Sequence, residues 1–168
     1  DSVEKPLIVM TPKSLLRHPR CVSSLQSLAE GRFEEVIDDA AVDPARVRRV
    51  VLSAGKLYYD LVKGREDRRA DGVALVRLEQ LYPFPAAALA RALARYPSSA
   101  GLVWAQEEPQ NMGAWSFVQP GIERVLDFVK AKNPRPRYAG RAASASTATG
   151  LMSRHLRELK AFVDEALA

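Results

Sequence analysis

The sequence predicts an α/β fold: a three-layer, mainly parallel sheet flanked by helices on both faces. Three observations lead there. Short strand-type apolar runs alternate with segments of helical period, the pattern of strand–helix–strand units. Glycine or proline punctuates most of the changes between them. The length, 168 residues with 47% hydrophobic and 27% charged side chains, supports one domain with a real core and hardly two. The expectation is a single α/β domain over residues 1–168, with 1–5 as the start of a fragment or a linker.

Each element has its own local reason. After Lys5-Pro6, the run Leu7-Ile8-Val9-Met10 is of strand type, and Thr11-Pro12-Lys13 stops it. Residues 14–31 are irregular or briefly helical, and residues 33–37 form a partly exposed strand. Residues 38–44 make an acidic surface loop. Residues 47–53 lead as a strand through Ala54-Gly55 into a helix over 56–62, and a charged linker fills 63–71. A second strand follows over Val73–Leu78. Pro83 and Pro85 bound a helix with Leu89, Leu93 and Tyr96 on one face and Arg91 and Arg95 on another. The next strand covers 101–106.

Ile122, Val125, Leu126 and Val129 recur at helical spacing and predict an amphipathic helix. Residues 134–141 are extended, and 142–150 are a run of small and hydroxyl side chains. A last helix carries Met152, Leu156, Leu159, Val163 and Ala166 on one stripe. No internal repeat occurs. In sheets of this kind, ligands sit at the carboxyl ends of the strands.

Composition narrows the function classes. One cysteine, Cys21, cannot close an internal disulfide, so a disulfide scaffold is excluded. The longest apolar runs, residues 7–10 and 73–76, are far short of the ~20 residues a membrane helix needs. The opening Asp-Ser-Val-Glu-Lys-Pro lacks the basic and apolar segments of a signal peptide. The expectation is a soluble intracellular domain with no membrane partner. The first residue is not methionine and the chain is already apolar at Leu7, which suggests a fragment or a processed C-terminal piece. Lys plus Arg exceed Asp plus Glu by 25 to 20, a net charge of +5, so anionic partners are permitted. The charges are interspersed, and there is no reading helix, RNA-binding signature or basic cluster interleaved with aromatics. No nucleic-acid partner is expected.

The residues that could carry chemistry are few. His18 and His155 lie far apart and Cys21 stands alone, so no zinc spacing exists and no nucleophilic triad can be built. Ser53-Ala54-Gly55-Lys56 follows a strand and opens a helix, where free N–H groups favour an anion; it lacks the glycine-rich lead-in of a Walker loop. Its plainer reading is a tight turn with Lys56 solvated. Thr11 to His18 packs hydroxyls and cations into one loop, where Arg17 could grip a phosphate bidentately and Lys13 act as a point charge. The alternative is a surface loop in which Ser14 caps a short helix. Glu107 and Glu108 are adjacent on one segment and therefore point apart, so they make a poor catalytic dyad. They suit arginines across a subunit or domain interface, with Trp104, Met112 and Trp115 in its apolar part. Ser144, Ser146, Thr147 and Thr149 beside Arg141 could surround a phosphate, although a connecting loop accounts for them equally well.

Taken together and in order, these segments resemble the C-terminal domain of the E1 component of the 2-oxoglutarate dehydrogenase complex. The matching stretches are KPLIVMTPKSLLRHP (5–19), SAGKLYYDL (53–61), VALVRLEQLYPFP (73–85), WAQEEPQNMGAW (104–115) and RYAGRAASASTATG (137–150). They span nearly the whole chain. The resemblance implies a transketolase C-terminal-like α/β domain of a larger subunit. That subunit uses thiamine diphosphate and Mg²⁺ to decarboxylate 2-oxoglutarate and passes the succinyl group to a lipoyl group on E2. The cofactor supplies that chemistry and the protein orients it. No Gly-Asp-Gly motif with its following Asn is present here, and the family's catalytic histidines belong to earlier domains, so the fragment alone is expected to be inactive.

The resemblance implies further partners: the upstream E1 domains, a second subunit in a homodimer, and E2 and E3 in the complex. It implies the cytoplasm in a bacterium and the mitochondrial matrix in a eukaryote. Some relatives bind acetyl-CoA in this region and others respond to AMP. An anionic effector is therefore assigned to Lys13, Ser14, Arg17 and Lys56, with Gln106 and Arg141 less directly. Lys13, Ser14 and Arg17 match the family's TPKS-x-LR pattern. Ala54 replaces its usual serine and Thr147 its usual proline, which weakens hydroxyl contacts and loop rigidity there. A different class of function is a stand-alone, non-catalytic regulatory module for acetyl-CoA or a nucleotide. The reading frame upstream of Asp1 separates the two.

Overall fold

The computed structural model describes residues 5–6 and 8–168, which form two compact units divided between Arg32 and Phe33. In the first unit, a 3₁₀ turn spans Lys13–Leu15, closed by the Leu15 N–H on the Pro12 carbonyl at 3.1 Å. A short helix, α1 (Leu25–Glu30), starts where the Ser24 hydroxyl accepts the Ser27 N–H at 3.0 Å. It ends as the Gly31 N–H returns to the Ser27 carbonyl. Neither segment contains a buried residue. Ser14 lies inside the 3₁₀ turn and does not cap it, because Pro12 occupies the cap position.

The strand expected over 7–10 is not found at Ile8, Val9 or Met10, which are exposed and irregular; Leu7 lies outside the described residues. A strand needs a neighbour to take its N–H and C=O groups. The described part of this unit offers only helical turns.

The second unit holds the sheet. Its elements are β1 (Val36–Ile37), β2 (Arg49–Ser53), α2 (Leu57–Arg68), β3 (Val73–Leu78), α3 (Ala86–Leu93), β4 (Gly101–Pro109), α4 (Trp115–Phe128), β5 (Arg137–Arg141) and α5 (Met152–Leu167). The strand order is β1-β3-β2-β4-β5, with β1 antiparallel to β3 and every other pairing parallel. The expected mainly parallel, three-layer α/β architecture is therefore present.

Alternation along the strands builds the layers. Val50, Leu52, Val76, Leu102 and Trp104 face α3 and α4. Val51, Val73, Leu75, Val103 and Ala139 face α2 and α5. Register holds the two rows level: Val51 stands opposite Leu75 on one side and Val103 on the other.

Four local expectations are corrected. Residues 63–68 are not a linker, since α2 continues to Arg68 and ends at Arg69 in the left-handed region (φ 53°). Their charges lie on the helix's solvent side, as with the Lys63–Asp67 pair one turn apart, and so read as linker when only composition is seen. On the other side Gly64 faces α5, where a Cβ would sit 2.8 Å from Val163 Cγ1, so the two helices approach closely there.

The strand expected over 33–37 shrinks to two residues, and the acidic loop after it is not simply surface. Asp39 is 6% exposed. Its carboxylate accepts the Leu75 N–H at 2.8 Å and pairs with Arg65. It thereby replaces a strand backbone at the edge of β3. Asp38 next to it binds Arg95 and the Tyr96 hydroxyl. Tyr96 lies beyond the end of α3 yet is buried. Finally, β4 runs three residues past Gln106, because the segment to Pro109 pairs with β5 through an irregular register. Among the described residues, no helix is long and apolar enough to cross a membrane.

Candidate functional site

The chain leaves β2 in one direction, through α2 to β3, and leaves β4 in the other, through α4 to β5. The carboxyl ends of β2 and β4 therefore flank the switch point of the sheet, where crevices of α/β folds form. A cavity of about 380 Å³ lies there, lined by Ala54, Leu81, Trp104, Gln106, Gly113 and Phe117 among others.

The turn after β2 is tight. Gly55 takes φ +69°, which a side chain would strain, and α2 begins with no side-chain cap on its first N–H groups. Lys56 is not solvated, however. Its Nζ lies 2.6 Å from Glu107 Oε2, both groups being partly buried. The anion nearest to the turn is thus a carboxylate of β4. This departs from the expectation that the acids of this segment meet arginines across an interface.

Gln106 is 5% exposed and completely engaged within the unit. Its Oε1 accepts the Trp104 indole N–H at 2.9 Å and the Trp115 backbone N–H at 3.1 Å. Its Nε2 donates to the Met112 carbonyl at 2.8 Å, with the Pro109 and Glu108 carbonyls at 3.2 and 3.3 Å. Gln106 thus organises the bend from β4 into α4. Trp104 and Trp115, expected on an apolar interface, are instead core residues at 1% and 8% exposure. They are buried because β4 is central and both of its faces are covered.

Arg141, at the end of β5, donates from Nε to the Glu107 carbonyl at 2.6 Å and lies 4.0 Å from Glu158. Tyr138 brings its hydroxyl within 3.0 Å of the Glu108 and Arg141 carbonyls. Burial above all pushes that phenol up to about 12, with the Glu108 carboxylate adding to the shift. The loop over 142–150 is pinned by Asn111, which donates to the Ser144 carbonyl and accepts the Ser144 N–H, each at 3.0 Å.

Under that loop is a second cavity, of about 470 Å³, lined by Arg141, Ser144, Ser146, Thr149, Arg154 and Glu158 among others. The Thr149 hydroxyl is buried without a partner. The Arg154 hydrogen bond at 2.6 Å holds the Glu158 carboxyl below its ordinary range. Sequence reasoning reached Arg141 and the hydroxyls but missed Glu107 as a partner of Lys56, and Arg154 and Glu158 altogether. The i, i+4 spacing of the last two on a predicted helix was the available signal.

The structure brings Lys56, Gln106 and Arg141 to one edge of the sheet, joined through Glu107 and its neighbours. Lys13, Ser14 and Arg17 belong to the first unit, all three exposed. Among the described residues, no carboxylate pairs with Lys13 or Arg17. His18 and His155 approach no metal-binding set, for among the described residues no cluster of three His, Cys, Asp or Glu could hold an ion.

Comparison with known proteins agrees with this architecture. The family described as 2-oxoglutarate dehydrogenase C-terminal matches residues 22–167. The 2-oxoglutarate dehydrogenase E1 component of Brucella anthropi is 55% identical over 174 residues, covering 97% of this chain and 17% of that protein. The E1 component of Brucella ovis is similar to the same degree, 55% over 97% of this chain. The chain thus spans about 17% of the length of these relatives. On the family match and on these relatives, the chain belongs to the 2-oxoglutarate dehydrogenase C-terminal family, as a domain of an E1 component.

Proposed function

We propose that this chain is the part of an E1 subunit that steadies the rest of the enzyme and receives an anionic effector, while catalysis takes place elsewhere in the polypeptide. The subunit would decarboxylate 2-oxoglutarate with thiamine diphosphate and Mg²⁺ and succinylate the lipoyl group of E2, in a homodimer within a complex that includes E3. Its relatives here are bacterial, which favours the cytoplasm. The described residues do not suit the cofactor: they lack a set of carboxylates or histidines for a divalent ion. No catalytic step is therefore assigned to them.

The effector reading rests on one observation. Lys13 and Arg17 flank Ser14 in an exposed turn, and among the described residues neither cation has an acidic partner. Two uncompensated cations beside a hydroxyl suit a phosphate. The guanidinium offers a bidentate fork, the ammonium a point charge and the hydroxyl a further donor. Acetyl-CoA and AMP both present such phosphates. Lys56, Gln106 and Arg141 form a secondary set. An anion at Lys56 must displace Glu107, and Gln106 has no polar atom to spare.

Calorimetry on the intact subunit tests this reading. Arg17→Ala is expected to weaken acetyl-CoA or AMP binding by about tenfold or more, the loss of one charged hydrogen-bonded pair. Lys56→Ala is expected to change it less. Failure of the unmodified subunit to bind either ligand at millimolar concentration removes the effector role. Failure of the subunit to decarboxylate 2-oxoglutarate with thiamine diphosphate and Mg²⁺ removes the enzymatic one.

A further inference from the structure

The described residues of the first unit carry apolar side chains that nothing in that unit covers. Ile8, Val9 and Met10 are 80%, 66% and 90% exposed. Successive residues of a strand face opposite ways, so Ile8 and Met10 would share one face and Val9 the other. A sheet with one wet face alternates apolar and polar residues. A run that is apolar on both faces is the pattern of an interior strand in a sheet covered on both sides. Val73–Leu78 of this same protein shows that pattern and is such a strand. Lys5-Pro6 before the run and Thr11-Pro12 after it supply polar, proline-marked ends.

Two further observations say where the missing sheet lies. The family match begins at residue 22, downstream of the run, and the contact division falls at Arg32. The relatives nevertheless match over 97% of this chain, which is only 17% of their length. The run therefore sits outside the C-terminal family unit but inside the larger E1 polypeptide.

We propose that Ile8–Met10 is a strand contributed to a helix-covered α/β sheet in the remainder of the E1 subunit, pairing there as an interior strand. Its backbone N–H and C=O groups find partners in that sheet and its side chains enter both apolar layers. The 3₁₀ turn Lys13–Leu15 then follows the carboxyl end of that strand, the edge where α/β sheets present their ligand-binding loops. The inference depends on family membership and not on effector binding.

Hydrogen–deuterium exchange on the intact subunit, read by mass spectrometry, tests it. The amides of Ile8, Val9 and Met10 are expected to exchange at least about 100-fold more slowly than those of an unstructured peptide. A second measurement uses Val9→Cys in a Cys21→Ser background, with thiol labelling mapped by peptide. The introduced thiol is expected to resist the reagent in the folded subunit and to react once urea unfolds it. Exchange at free-peptide rates, or free labelling in the folded subunit, overturns the proposal. Protection that vanishes when the dimer is diluted to monomers assigns the strand to the second copy and overturns it as well.

Discussion

From Lys5 to Arg32 the large apolar side chains that the structure describes are exposed, Ile8, Met10, Val22, Leu25 and Leu28 among them. From Val47 onward, Val51, Leu52, Leu61, Leu75, Leu89 and Ile122 are sealed at 0–2% exposure. The two stretches do not differ in the kind of apolar residue they hold. They differ in whether a second layer is present. The sheet of the second unit has helices on both faces, so each strand residue finds a cover whichever way it points. The first unit has one short helix and a turn, too little to cover anything. Apolar character alone therefore does not make a core.

Substitutions can break or sharpen this contrast. The largest effect is expected from Leu52→Ala, which empties a completely buried site under α3 and α4. It should lower unfolding free energy by about 3 kcal/mol or more in urea titration. Asp39→Ala follows closely. It leaves Arg65 buried without its partner and the Leu75 N–H without its acceptor, a loss of about 3 kcal/mol by the same measurement. If either change were neutral, the second unit would not be the sealed body described.

Gly64→Ala comes next, at about 1–2 kcal/mol, because its methyl group meets Val163 and Leu167 and must push α2 from α5. Alkaline pH gives a smaller, graded effect. The Tyr138 phenol titrates at about 12 in the fold against an ordinary 10.0, so its neutral form is favoured there. Its contribution is complete below pH 10 and falls as pH rises from 10 toward 12. Tyr138→Phe should flatten the decline of Tm across that window. Smallest of all is Leu28→Ser, expected to change the unfolding of the second unit by no more than about 0.5 kcal/mol. A large loss there would show that the exposed residues are covered after all.

The elements most readable from the sequence were those with two-sided or one-sided apolar period. Val73–Leu78 was placed to the residue, and the stripe Leu159, Val163 and Ala166 correctly marked the covered side of α5. The readings that failed were those made from polarity. Asp39 looked like surface and is buried, because its partners Arg65 and Leu75 lie 26 and 36 residues away. Residues 63–68 looked like a linker and are helix, because charges on an exposed helical face resemble a charged loop. Gln106 looked available for a ligand and is instead held by Trp104, Met112 and Trp115. Of the candidate site, the residue types were visible in the sequence and their partners were not.

The repeat of side chains along a backbone, every second residue or every third and fourth, is local. It is enough to assign α/β class, most elements and the buried face of each. The motifs from residue 5 to 150 likewise carried the family. What no local period encodes is the lateral order β1-β3-β2-β4-β5. That order brings β4 beside β2 and so places Glu107 on Lys56, turning a solvated lysine into half of an ion pair. It also leaves β3 beside only two residues of β1, so that a buried carboxylate completes its edge. These contacts depend on distances between segments far apart in the chain, and such distances exist only after the layers have packed.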